Sequence, residues 1–373
     1  TRRALGKSAV VAIAAALTLT IAVAGGIVTL IRADVSPADK VDDTTYHAFT
    51  DDMDASNPTV EQLFETYQAT RDFAPEVVVA VGGGSILDVG KSLCCLYGTD
   101  LPHADSLRRL IEEKSYGHPA ARWIGVPTTA GTGSEVTCWA TIWDPERDAK
   151  RSVECRENYA FAALVDPELA AGMPVTLAVS SALDAAAHAV ESYWAKGTNA
   201  VSRGLALEAI RTIMGHMDGL LAGTMEAHEA MARGSMLAGL AFSNTKTTAC
   251  HSISYPLTMH CGIPHGAAVS MLLGPVFQLN AQALARPEPL LDALGVSSPE
   301  ELAEKVCGIL RRSGQPATLK EWGAQREELP RLARLGMTKG RADNNPVPIE
   351  PATILSILEQ IYDSSCKLTR KGA

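Results

Sequence analysis

One carboxylate and three imidazoles, Asp184, His188, His251 and His265, are spaced as a metal site. Asp184 and His188 stand four apart in LDAAAHAVE, so on a helix both side chains leave the same face one turn apart. His251 and His265 bracket HSISYPLTMHCGIPH, which can bring a helix end and the following loop back to that face. One oxygen and three nitrogens suit divalent iron or zinc and leave coordination positions open. A metal held this way acts as a Lewis acid on a carbonyl or hydroxyl oxygen.

Two glycine-rich loops precede these residues and would have to position an anionic cofactor beside them. In VVVAVGGGSILDVGK, Val77 to Lys91, a short β-branched run reads as a buried strand. Three glycines and a helix-like stretch from Ser85 follow. Strand, glycine turn and helix N-terminus make a phosphate cradle of bare N–H groups and favourable dipole. GVPTTAGTGSEVT, Gly125 to Thr137, repeats the arrangement with small hydroxyl residues suited to a pyrophosphate. Neither loop is a P-loop or the G-x-G-x-x-G dinucleotide fingerprint.

These segments, with DAAAHAVESY and the H-x13-H that ends in PHG, resemble the iron-dependent (group III) alcohol dehydrogenases in order and spacing, from about Asn57 to Asn280. The resemblance implies a dehydroquinate synthase-like fold: an α/β N-terminal dinucleotide-binding domain, then an all-α C-terminal domain, with the active site in the cleft between. It matches Gly83, Gly84, Ser85, Thr128, Thr129 and Thr132 to cofactor-phosphate positions, and Asn57 to one near the adenosine. Asp184, His188, His251 and His265 match the metal ligands. Asp88, one turn into the first phosphate helix, is expected to orient the cofactor. Fe(II) or Zn(II) and NAD(P)H are the implied cofactors, and a homodimer is the family's habit.

Two departures from the family bear on substrate. Relatives often carry A-F-x-N-x-G-x-G-x-x-H before the third ligand; here AFSNTKTTACH puts Lys246 and Thr248 at the glycine positions. A lysine and hydroxyls there predict a local anion site, to which Lys150 or Arg151 could add charge. Tyr255 replaces a common histidine four residues after His251. It keeps a donor hydroxyl, but an ordinary pKa near 10 makes it a poor base, so His260, metal-bound water or ribose hydroxyls become relay candidates. The remaining histidines, His47, His103, His118, His216 and His228, read as surface residues. NTKTTACHSISYPLT most resembles the branch that reduces phosphonoacetaldehyde to 2-hydroxyethylphosphonate. The rivals are a general alcohol or lactaldehyde dehydrogenase on uncharged substrates, and a lyase-type or metal-free structural relative.

The 373 residues suffice for two domains, with a boundary expected between 173 and 174 in Gly172-Met173-Pro174. A net charge of −9 argues against nucleic acid. Eight scattered cysteines without a C-x-x-C pair suggest reduced thiols in the cytoplasm. The uncharged stretch Ala9 to Ile31, after Arg2, Arg3 and Lys7, admits a signal peptide or membrane span. The preferred reading makes Ser8 to Ala14 the strand that centres the nucleotide sheet, followed by an Ala-rich helix, with no membrane association. Relatives often have an Asp after this strand. Here Ile13-Ala14-Ala15 lacks that carboxylate, so NADH and NADPH both stay open.

Overall fold

The computed structural model describes residues 10–14, 58–147, 149–338 and 340–363. They fall into two compact units: the chain to Thr128 with Ser134–Asp166, and Thr129–Gly133 with Pro167 onward.

In the first unit four parallel strands pair in the order β1 (Val10–Ala14), β2 (Val77–Gly82), β3 (Arg122–Pro127) and β6 (Ala162–Ala163). The strand expected at 8–14 is therefore present. It lies at one edge of the four described strands, where it pairs with β2 from Val10↔Val77 to Ala14↔Val81. The Ala-rich segment after it lies outside the described residues. Antiparallel β4 (Trp139–Asp144) and β5 (Ala149–Glu154) form a hairpin over Pro145–Arg147.

Among the described residues of this unit are the helices α1 (Val60–Thr70), α2 (Gly84–Leu96) and α3 (Ala104–Glu113). α1 starts in a capping box between Thr59 and Gln62; such a cap contributes about 1 kcal/mol. α2 lies close on β2 because Gly90 has no side chain: a Cβ there would come 2.7 Å from the Ala80 Cβ. Leu63, Val78, Leu87, Leu93, Trp123 and Ile142 fill the core beneath.

The described residues of the second unit form helices joined by loops, with no strand among them. Its labelled helices are α4 (Val175–Trp194), α5 (Ala200–Gly215), α6 (Met225–Thr245), α7 (Ala249–Cys261), α8 (His265–Asn280), α9 (Pro299–Arg312), α10 (Leu329–Leu335) and α11 (Pro351–Tyr362). α4 packs against α5, α6 and α8. Its alanines, Ala182, Ala185, Ala186, Ala187 and Ala189, are buried, and such small side chains let several helices approach one axis. No helix among the described residues is long and apolar enough to cross a membrane.

Candidate active site

The helix reading of LDAAAHAVE holds. Asp184 and His188 lie one turn apart on α4, with Asp184 Oδ2 3.9 Å from His188 Nδ1. His251, in the first turn of α7, brings Nε2 to 3.4 Å from Asp184 Oδ1. His265 is the first residue of α8, its Nε2 3.8 Å from the same oxygen. Between the last two, α7 runs on with Pro256 inside it and ends at Cys261, and the loop at 262–264 delivers His265, the helix end and loop that were expected. Asp184, His188 and His251 offer ligand atoms all within 4.8 Å of one another. His265 stands at the rim, its side chain 29 % exposed.

These groups sit where polarity is costly. The His188 ring is stacked between Phe242, 4.2 Å away, and His251, 4.3 Å away. Asp184 Oδ1, His188 Nδ1 and His251 Nε2 are buried with no hydrogen-bond partner among the described residues. Burying such atoms unsatisfied costs about 1–3 kcal/mol each, and a shared cation removes that cost. Carboxylate oxygen with imidazole nitrogen is a donor set for iron or zinc, and a bound ion would supply Lewis acidity toward a carbonyl or hydroxyl oxygen.

The same geometry fixes protonation. Burial pushes the Asp184 carboxyl up, but His188 and the neighbouring imidazoles of His251 and His265 outweigh it and hold the group well below the usual carboxylate range. Burial depresses His188 to about 4. At neutral pH both are in the states that bind metal.

Sequence reasoning missed Glu191, although it lies seven residues after Asp184 on the same helix face. It is fully buried and anchors the start of α7. Its Oε2 lies 2.5 Å from His251 Nδ1 and accepts from Thr248 N at 3.0 Å. Its Oε1 accepts from Thr248 Oγ1 and Cys250 N, both at 2.6 Å. Trp194 Nε1 in turn donates to Thr248 Oγ1 at 2.8 Å. A carboxylate on Nδ1 holds the proton there and leaves His251 Nε2 as a lone-pair donor facing Asp184. Although burial lowers the His251 pKa, Glu191 more than offsets it and the net shift is upward. Thr248, expected as an anion donor, has its hydroxyl committed to Glu191.

Tyr255 shares the His251 face as expected and stacks on His265 at 5.8 Å between centroids. Burial lifts its phenol to about 12, which rules it out as a base near neutrality. His260 is nine residues from His251 on α7, two and a half turns by helix geometry, so it leaves the opposite face; the structure does not bring it to the cluster. Among the histidines read as surface residues, His228 is buried and His103 caps α3 with its ring, while His47 lies outside the described residues.

Lys246 caps α6 at φ 60°, ψ 175°, a backbone region that is essentially glycine's own and costs other residues about 1–3 kcal/mol. This explains why glycine suits the position. Asn344 holds the turn, donating from Nδ2 to Thr245 O at 2.7 Å and Thr247 O at 3.1 Å. The Lys246 residue is exposed.

In the first unit, Gly83 is the N-cap of α2, with Gly84 and Ser85 its first residues, so the expected glycine turn leads into a helix N-terminus. Asp88 has another use than the cofactor role expected of it. Its Oδ1 accepts from Ser134 Oγ at 2.6 Å and its Oδ2 from Thr141 N at 2.7 Å. Lys91, fully buried, donates to Ser134 Oγ, Thr137 Oγ1 and Trp139 O. Together they tie the first phosphate helix to the end of the second glycine loop.

Thr128, Thr129 and Thr132 are half-buried, while Gly133, at φ +58°, is needed for packing: a Cβ would fall 2.6 Å from Gly239 Cα in α6. The Lys150 ammonium lies 5.2 Å from the Trp143 ring centroid. Arg151 is committed to Asp144 and Glu112, each at 2.5 Å. Asn57 lies outside the described residues.

Comparison with known proteins bears on this geometry. Residues 20–167 match the model for iron-containing alcohol dehydrogenase, and residues 178–362 the C-terminal model of the Fe-containing alcohol dehydrogenase family. The chain is 30% identical over 312 residues to lactaldehyde reductase of Escherichia coli (strain K12), covering 81% of this chain and 80% of that protein. It is 28% identical over 323 residues to sulfoacetaldehyde reductase of Bilophila wadsworthia (strain 3_1_6), covering 82% of each. Among solved structures, sulfoacetaldehyde reductase from Bifidobacterium kashiwanohense in complex with NAD+ matches with a TM-score of 0.76 and 29% identity, over 83% of this chain and 82% of that one. A donor set suited to a divalent metal thus lies within the stretch that matches the C-terminal model, and with both models matched the chain belongs to the iron-containing alcohol dehydrogenase family.

Proposed function

We propose that this alcohol dehydrogenase works as an aldehyde reductase on a small anionic aldehyde, converting phosphonoacetaldehyde to 2-hydroxyethylphosphonate with iron (or zinc) and NAD(P)H. Asp184, His188, His251 and His265 would hold the metal. Gly83, Gly84, Ser85, Thr128, Thr129 and Thr132 would hold the cofactor phosphates. A cytoplasmic homodimer belongs to the same proposal.

The observation that carries the anionic substrate is Lys246. A lysine strained into a glycine conformation is retained against a stability cost, and its charge is the property glycine cannot supply. The likeness to two sulfoacetaldehyde reductases, whose named substrate is itself an anionic aldehyde, supports the same class. The rival is an uncharged substrate, favoured by the likeness to lactaldehyde reductase.

Oxidation of NADH and NADPH with phosphonoacetaldehyde and with propionaldehyde, in wild type and Lys246→Ala, separates the two. The proposal expects a wild-type preference for the charged aldehyde, reduced in the variant. Equal efficiency on both aldehydes in wild type would remove it.

A further inference from the structure

Arg341 and the metal-ligand cluster have a neighbour in common, the ring of Tyr255. Its guanidinium carbon lies 5.3 Å from the Tyr255 ring centroid, and the Tyr255 ring stacks on His265. The phenol lies within electrostatic reach of Arg341 on one hand and of Asp184 and Glu191 on the other. Arg341 is half-buried and makes no ion pair among the described residues. Arg108, Arg151, Arg311, Arg312 and Arg326 all do. A partly desolvated guanidinium with no carboxylate on it among the described residues, in a chain of net charge −9, has the chemistry to receive an anion.

Its loop is held in place. Ser252 Oγ on α7 donates to Gly336 O at 2.6 Å and accepts from Thr338 N at 2.8 Å. At the other end Asn344 grips the turn that carries Lys246. Both anchors tie the Arg341 loop to elements that carry the site, so the cation is positioned before substrate arrives and less ordering is required on binding.

We infer that Arg341 is the specificity-determining residue that receives the anionic group of the substrate. This rests on the anionic-aldehyde reading above. The planar guanidinium offers paired N–H donors to a phosphonate or sulfonate, a match that a lysine ammonium lacks. Tyr255 serves as the wall on which the guanidinium rests by a cation–π contact. Lys246, exposed, adds charge to the same corner.

The test measures kcat/KM for phosphonoacetaldehyde, sulfoacetaldehyde and propionaldehyde in wild type, Arg341→Met and Arg341→Lys, each loaded with metal. Ethylphosphonate serves as a probe that cannot react. In Arg341→Met the ratio of charged to neutral efficiency is expected to fall by about ten- to a hundredfold, through KM, as for loss of one charge-assisted hydrogen bond. Inhibition by ethylphosphonate should weaken in parallel. Arg341→Lys, which also serves should the methionine variant fail to fold, is expected to show a smaller fall of the same ratio.

A wild type that does not discriminate charge removes the underlying reading. A wild type that does, with Arg341→Met keeping its preference, overturns Arg341 alone and leaves Lys246 as the receptor. A folded Arg341→Met that loses charged and neutral substrates equally also overturns the inference, because that is a structural effect.

Discussion

Replacing Glu191 by Gln changes one atom and leaves volume almost unaltered, yet it should cripple metal binding. Each carboxylate oxygen of Glu191 takes two contacts: Thr248 Oγ1 and Cys250 N on one, Thr248 N and His251 Nδ1 on the other. Whichever way the Gln amide is turned, its NH2 meets groups that donate. Turned toward Oε1's place, it opposes the Cys250 amide. Turned toward Oε2's place, it opposes the Thr248 amide and drives the His251 proton from Nδ1 to Nε2, the atom that faces Asp184.

One buried unsatisfied donor costs about 1–3 kcal/mol, and loss of such a supporting partner typically lowers metal affinity by about 10–100-fold. Chelator competition with Fe(II) and Zn(II), on wild type and Glu191→Gln of equal circular dichroism, reads this directly. A variant that binds within about threefold of wild type would refute the orienting role of Glu191.

Three further outcomes follow from the same geometry. Lys246→Gly should raise the unfolding free energy by about 1–3 kcal/mol in denaturant titration, because it removes the strained backbone state; a lower stability would contradict that reading. Tyr255→Phe should leave the shape of the pH profile of kcat/KM between about pH 6 and 10 unchanged. The phenol, lifted by burial to about 12, stays protonated throughout that range, so a limb lost in the variant would show it to be a base after all. Gly133→Ala should destabilise the protein by more than about 1 kcal/mol, through a left-handed φ of +58° and a backbone clash with Gly239; a neutral effect in thermal unfolding would show that α6 can move away.

The sequence made the ligands legible because four-residue spacing on a helix is a direct geometric statement, and α4 bears it out. The change from strands to helices was visible where β-branched runs end. α7 and α8 were harder. Each contains a proline, Pro256 and Pro275, and each is buried along most of its length, α7 with polar residues among the buried ones, so neither periodicity nor breakers marked them. Glu191 lay at a readable spacing, but its partner His251 is sixty residues away and only the fold joins them. The glycine positions at Lys246 and Thr248 were readable, yet they diverge: one is strained and exposed, the other a buried link to Glu191. Arg341 had no signal in spacing or motif, since its place beside Tyr255 depends on how the Ser252 and Asn344 anchors fold its loop back. The place of β1 at the edge of the described sheet could not be read from a strand's own residues, because strand order is set by pairing.

The central claim is that Asp184, His188 and His251 share a metal ion on which the reductase depends. Its most direct measurement is metal content together with oxidation of reduced nicotinamide, on protein purified without chelator, then stripped, then reloaded. The account predicts about one iron or zinc per chain, loss of turnover on stripping, and recovery on reloading. Full turnover by metal-free protein, or a Asp184→Ala variant that retains the metal with native affinity, would contradict it.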